Sequence, residues 1–176
     1  VDMELSEYVA CICEGAAEEA IMNILLENDL LIFSREKMIE ERVIRCRDGK
    51  KFEKEYLRKS FIGKISIIRI LDSRKENFKI GKAYQHKVDI IDIITAPEIE
   101  MLIIFTENKY TQFMKSGKKP SDFCTQDLRM SNVKNYDFVY DYYSDVTLLI
   151  TAIKEYHRVK RIPKGENDLL SILKQS

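Results

Sequence analysis

Glu14 closes the short apolar run YVACIC, Asp72 closes ISIIRIL, and Glu98 and Glu100 follow VDIIDII by a few residues. If those runs are strands of one open α/β sheet, the acids all reach the edge formed by the strands' carboxyl ends, where such sheets bind ligands. Carboxylates gathered there repel one another unless a cation neutralises them. A hard divalent ion with oxygen ligands, Mg²⁺ or Mn²⁺, suits that set. The chemistry it would support is phosphodiester hydrolysis or transfer, the metal activating water and stabilising the leaving oxygen. Taken singly, each acid is more commonly a helix cap or a partner of the helix dipole. Glu18 and Glu19 are more ordinary still. The ordered recurrence of acid after strand is what gives Glu14, Asp72 and Glu100 weight as catalytic candidates, with Glu98 as a further ligand.

The elements that must position them follow from periodicity. Tyr8–Cys13 is apolar and β-compatible, and Glu14-Gly15 ends it. AAEEAIMNILLEN then carries Ala20, Ile24, Leu25 and Leu26 at helical spacing, with acids in its first turn. Leu30–Phe33 reads as a short strand, Ser34 as the cap of a brief turn, and Arg42–Arg47 as an edge strand. Phe52–Phe61 suits an amphipathic surface helix. Ile65–Leu71 is nearly continuous in β-branched residues, as a strand buried on both faces should be, and Val88–Ile94 reads as the next buried strand. Residues 73–84 are polar and read as a loop with a short helix. Thr95 or Ala96 caps a helix over EIEMLIIF, with Pro97 in an early position that needs no N–H.

After about residue 107 the β-branched runs end. Ser121–Leu128, Asp137–Tyr143, Asp145–His157 and Glu166–Leu173 read as helices, the third with a stripe of Val146, Leu149, Ile150 and Ile153. The expected fold is three-layer, Rossmann-like α/β: a mostly parallel sheet of about four strands, with Ile65–Leu71 central. The core spans residues 1–106, and a helical annex, 107–176, packs on that same core as part of a single domain.

Composition removes several classes. The chain has 176 residues, 45% of them apolar and 33% charged, enough for a real core and not the balance of a disordered polymer. Twenty-nine basic residues cancel 29 acidic ones, so bulk charge does not make it a basic nucleic-acid binder. Charged residues interrupt every apolar run, which predicts no membrane span. The opening VDMELSEYVA lacks the basic and apolar regions of a secretory signal. Cys11, Cys13, Cys46 and Cys124 have neither disulfide nor zinc spacing, and His86 and His157 stand apart. Small buried thiols in a reducing cytosol are the expectation, and hence a cytoplasmic protein.

On these motifs the chain resembles the TOPRIM-like domains of topoisomerases, primases and several bacterial defence nucleases, most of all the RloB-type and OLD-type proteins. CICEGAAEE is similar to their strand ending in Glu-Gly with an acid four residues on, here Glu14 and Glu18. RILDSR is similar to their second strand ending in acid, here Asp72, and TAPEIEMLIIF to their Ser/Thr-x-Pro-x-x-Glu segment, here Thr95, Pro97 and Glu100. The resemblance covers residues 8–105 and implies a Mg²⁺- or Mn²⁺-dependent nuclease of bacterial or phage defence. It also implies a nucleic-acid substrate and a partner ATPase or other protein. The chain departs from the usual Asp-x-Asp by carrying Arg74 as the second member. Either Asp92, Glu98 or Glu100 replaces that acid, or one metal is held, or activity is lost. Arg74 and Lys75 become candidate contacts to a substrate phosphate, since a guanidinium suits that geometry.

Other readings have less behind them. A methyltransferase would need a glycine-rich turn after the first strand, and CICEGAAE offers one glycine with no NPPY-like segment elsewhere. No P-loop occurs. Basic residues gather at 42–51, 115–119 and 158–164, with Tyr110, Tyr136, Tyr140, Tyr142, Tyr143 and Tyr156 near the latter two. Such groups can contact phosphates and bases, although a charged surface over packed tyrosines is the commoner arrangement. The alternative from another class is a non-catalytic α/β interaction module whose acids cap structure. Convergence of the carboxylates at the sheet edge would favour the enzyme, and pairing with lysines the module.

Overall fold

Tyr8–Cys13 forms β1, and every side chain after Tyr8 is buried. Helix α1, Ala16–Glu27, follows at once and leads toward the two-residue strand β2, Ile44–Arg45. Ile65–Leu71 is β3, with all seven side chains buried, and Val88–Ile94 is β4. The strands are all parallel, in the order β2-β1-β3-β4, so β3 is interior as its composition demands. In this computed structural model, residues 3–59, 63–74, 77–95 and 99–175 are described.

Alternation along β1 sorts the core into two layers. Val9, Cys11 and Cys13 face one way with Ile68 and Ile70, and α1 covers them. Ala10 and Ile12 face the other way with Ile65 and Ile67, beneath Phe52, Leu57, Phe78 and Ile80. Phe52 ends α2, Gly49–Phe52, which winds on as a π-turn over Glu53–Leu57. The amphipathic helix expected over 52–61 is thus short, and residues 60–62 lie outside those described. Gly49 is buried against the 77–81 loop, and a Cβ there would collide with the backbone carbonyl of Lys79. Gly49→Ala is expected to lower stability by roughly 1–3 kcal/mol, read by urea unfolding, because backbone rather than a side chain must move.

β4 is not the strand buried on both faces that its composition suggests. It is an edge strand, with Asp89, Ile90 and Asp92 exposed. Asp92 accepts from Arg69 Nη1 at 3.0 Å, and that guanidinium, itself buried, lies 4.6 Å from the Phe78 ring centroid. The acids in VDIIDII mark the open edge.

The annex packs on the α1 face and shares its core. It comprises α3 (Met101–Thr106), α4 (Tyr110–Ser116), α5 (Pro120–Gln126), α6 (Tyr136–Tyr142) and α7 (Val146–Val159). The α5, α6 and α7 boundaries fall within two residues of those read from periodicity. Helix α3 starts later than expected. Thr95 does not cap it, because its hydroxyl donates to the Leu71 carbonyl at 2.8 Å, while Ala96 and Pro97 lie outside the described residues. The helix expected over 166–173 is instead a 3₁₀ turn, Leu169–Ile172, within an extended strap. That strap bridges Asn167 to Ile93 of β4 and Leu173 to Leu31, so the strand expected over 30–33 is a single bridge. The final third is therefore less helical than its composition implies.

Candidate functional site at the carboxyl edge of the sheet

The strand order reverses between β1 and β3. The connection leaving β1 carries α1 over one face, and the one leaving β3 carries Phe78 and Ile80 over the other. The carboxyl ends of two such neighbours are the position where open α/β sheets take ligands. Glu14 stands at the end of β1, partly exposed, and Asp72 at the end of β3, exposed. Gly15 is the N-cap residue of α1 in extended conformation. A Cβ on Gly15 would collide with the Glu18 carboxylate, which folds back from the first turn of the helix. Gly15 leaves space that the end of the Glu18 side chain fills, four residues beyond Glu14.

Glu18 is the residue that sequence reasoning undervalued. It is buried, and its carboxyl pKa is raised, first by that burial and then by the charges of Asp72 and Glu100, with Arg45 offsetting in part. Glu18 thus lies within electrostatic reach of Asp72 and Glu100. The available signal was the spacing of Glu18 from Glu14, one helical turn past the strand. Glu100 is buried just before α3, and Lys134 Nζ lies 3.3 Å from its Oε1. Glu19 accepts from Arg45 Nη1 at 3.3 Å. Glu98 and Lys75 fall outside the described residues. Asp92 is bound to Arg69 on the sheet face and does not stand in for the missing second acid.

In charge and hardness these carboxylates suit Mg²⁺ or Mn²⁺. Among the described residues, however, no three His, Cys, Asp or Glu side chains are assembled to hold a metal ion. Glu18 lies over Gly15 and Glu100 is drawn to Lys134, so the donors are neighbours without forming a cage.

Arg74, two residues past Asp72, is an exposed arginine in the loop after β3 and is ion-paired. It donates from Nε and Nη2 to the two Glu166 carboxylate oxygens at 2.7 and 2.9 Å, which holds the carboxyl of Glu166 below the usual range. His157, expected to stand alone, meets the buried carboxylate of Asp168 at 2.7 Å. The four cysteines are buried and free, as expected, and burial holds the Cys13 thiol far above its ordinary pKa.

Most of the tyrosines pack the annex, and Tyr136 stacks on Tyr140, which is exposed. Tyr143 and Tyr156 are buried, Tyr110 stacks on Phe105, Tyr140 donates to Glu27 and Tyr142 donates to Glu107. Within the basic segments, Lys51 pairs with Glu55, Lys118 with Asp127 and Arg158 with Glu155. Among the described residues, no helix is long and apolar enough to cross a membrane.

The topology and its switch point define the class: an α/β protein with a four-stranded parallel sheet and acids at the carboxyl edge. No family model matches the chain, nor does any curated protein or solved structure.

Proposed function

We propose that this chain is a TOPRIM-like phosphodiester-cleaving protein, a metal-dependent nuclease whose site is the acidic edge at the ends of β1 and β3. The observation that carries the reading is a buried acid at a switch point: Glu18 is buried in the first turn of α1, and the charges of Asp72 and Glu100 help to raise its pKa. Like charges crowded at a ligand-binding edge call for a cation. Bound by Glu14, Glu18, Asp72 and Glu100, Mg²⁺ or Mn²⁺ would activate water and stabilise the leaving oxygen. The chain's own contribution is to hold these acids on two strand ends and two helix starts, with Gly15 leaving space for Glu18. A nucleic-acid substrate, a partner ATPase, a cytoplasmic site of action and a role in bacterial or phage defence accompany this reading through the resemblance.

A second reading, a non-catalytic interaction module, draws support from the Lys134–Glu100 pair and from the unassembled donors. Isothermal titration of Mg²⁺ and Mn²⁺ into wild type, Glu14→Gln and Asp72→Asn separates the two. The enzyme reading expects weakened cation binding, loss of Mg²⁺- or Mn²⁺-dependent nuclease activity, and stability unchanged or raised in both variants. Unchanged titration, with each variant losing about 1 kcal/mol as a structural cap would, favours the module.

A further inference from the structure

Beside the acids, at the ends of β3 and β4, lies a second group of charges. Arg74 presents its guanidinium fork from the loop after β3. Lys160, one residue beyond α7, reaches the end of β4, where its Nζ donates to the Ile94 carbonyl at 3.2 Å and lies 5.2 Å from the Tyr156 ring centroid. Tyr156 is itself fixed, its hydroxyl donating to the Thr95 carbonyl at 3.0 Å. Asn167, next to Glu166, accepts from the Ile94 N–H at 2.8 Å, so the Arg74–Glu166 pair and Lys160 are delivered by separate elements to the same end of β4.

We propose that Arg74 and Lys160 form a phosphate-binding site for the phosphodiester substrate, and that Glu166 occupies the Arg74 fork until substrate displaces it. The inference rests on the phosphodiester reading for the identity of the ligand. A carboxylate and a phosphate each present two oxygens to the parallel N–H groups of a guanidinium, so Glu166 marks the geometry a phosphate would take. An ammonium has three donors, and the Ile94 carbonyl takes one. The cations also sense each other: the pKa of Lys160 is lowered, first by burial and then by the charge of Arg74. An anion shared by both would relieve that repulsion. Asp168, the other nearby acid, is engaged by His157 and by the Ser171 hydroxyl, so Glu166 is the carboxylate that blocks the fork. Arg74 and Glu166 join elements far apart in sequence, and the pair is partly exposed, so solvent screens it and a dissolved anion can reach the fork.

The test is titration of inorganic phosphate, in the presence of a chelator, into wild type, Glu166→Gln, Arg74→Gln and Lys160→Gln. Glu166→Gln is expected to bind phosphate roughly fivefold tighter than wild type, the gain from removing a weak competing ion pair. Arg74→Gln, alone or with Glu166→Gln, should abolish binding, and Lys160→Gln should weaken it. Thermal melts of each variant confirm that the fold is retained. A labelled single-stranded oligonucleotide forms the second arm. Competition between it and phosphate on Glu166→Gln supports a phosphodiester site, whereas oligonucleotide binding unaffected by phosphate overturns that assignment. Phosphate affinity unchanged in Glu166→Gln, or surviving Arg74→Gln, overturns the anion site itself. Because these titrations contain no divalent cation, their failure is distinct from failure of the acidic site, which the Mg²⁺ and Mn²⁺ titrations read.

Discussion

Leu149→Ala is expected to lower stability by about 3 kcal/mol, within the 2–5 kcal/mol range that removing a fully buried leucine side chain produces. Helix α7 is anchored at its start by Asp145, whose carboxylate accepts the Thr147 N–H at 3.0 Å. Leu149, Ala152, Ile153 and Tyr156 then form one buried stripe, and the helix packs on α3 and the Leu169–Ile172 turn. Leu149 has no exposed surface, so truncation leaves a cavity whose walls are fixed by the surrounding core. For a chain of this size the loss corresponds to a fall in Tm of roughly 6–12 °C. Leu148→Ala is the internal control: its side chain is 44% exposed on the same helix, and less than about 0.5 kcal/mol is expected. Urea unfolding of both variants reads the difference. Equal midpoints would mean that α7 is not docked as described. The helix leads directly to Lys160, so its seating also fixes one side of the proposed phosphate site.

Strong patterns were legible because burial and periodicity agree there. β3 is apolar at nearly every position and is interior; α7 carries a spaced apolar stripe and is docked along it. All four stripe residues contact the core: Leu149 and Ile153 are buried, and Val146 and Ile150 are partly buried against the same cluster. Ile150 lies at the margin of that core, where it also lines a groove with Leu30 and Leu173. Local pattern misled wherever tertiary pairing decided the outcome. The last segment has enough apolar residues for a helix, yet its backbone pairs across to Leu31 and Ile93, contacts that no short-range periodicity encodes. β4 reads as buried by its isoleucines, but Asp89 and Asp92 show that one edge is open.

The site was legible in its strand ends and illegible in its burial. Glu14 and Asp72 were found because they terminate apolar runs. Glu18 reads as an acid suited to a helix dipole, and only packing around Gly15 reveals that it is buried among other acids. The Arg74–Glu166 pair joins residues 92 positions apart, and the sequence carries no mark of their meeting.

Glu18→Gln is expected to raise stability at neutral pH and to remove a pH dependence that wild type carries. The folded-state pKa of Glu18 is raised by burial, then by Asp72 and Glu100. A carboxyl raised on folding binds its proton more tightly in the native state than in the unfolded one. Its stabilising contribution is therefore fully present below the ordinary carboxyl pKa of 4.5 and is lost as pH rises through the elevated folded value. Above that value, wild type holds a buried carboxylate against two like charges, whereas the glutamine variant keeps the shape without the charge. The gap in urea midpoint between Glu18→Gln and wild type should widen from acid to neutral pH. Glu19→Gln makes the contrast, because Glu19 is paired with Arg45 and its neutralisation should give no such gain. A divalent cation captured by these acids would narrow the Glu18→Gln gap, since wild type alone gains by neutralising the crowded charge. A gap that stays flat across the pH range would mean that Glu18 is not pressed by Asp72 and Glu100, removing the observation on which the acidic site rests.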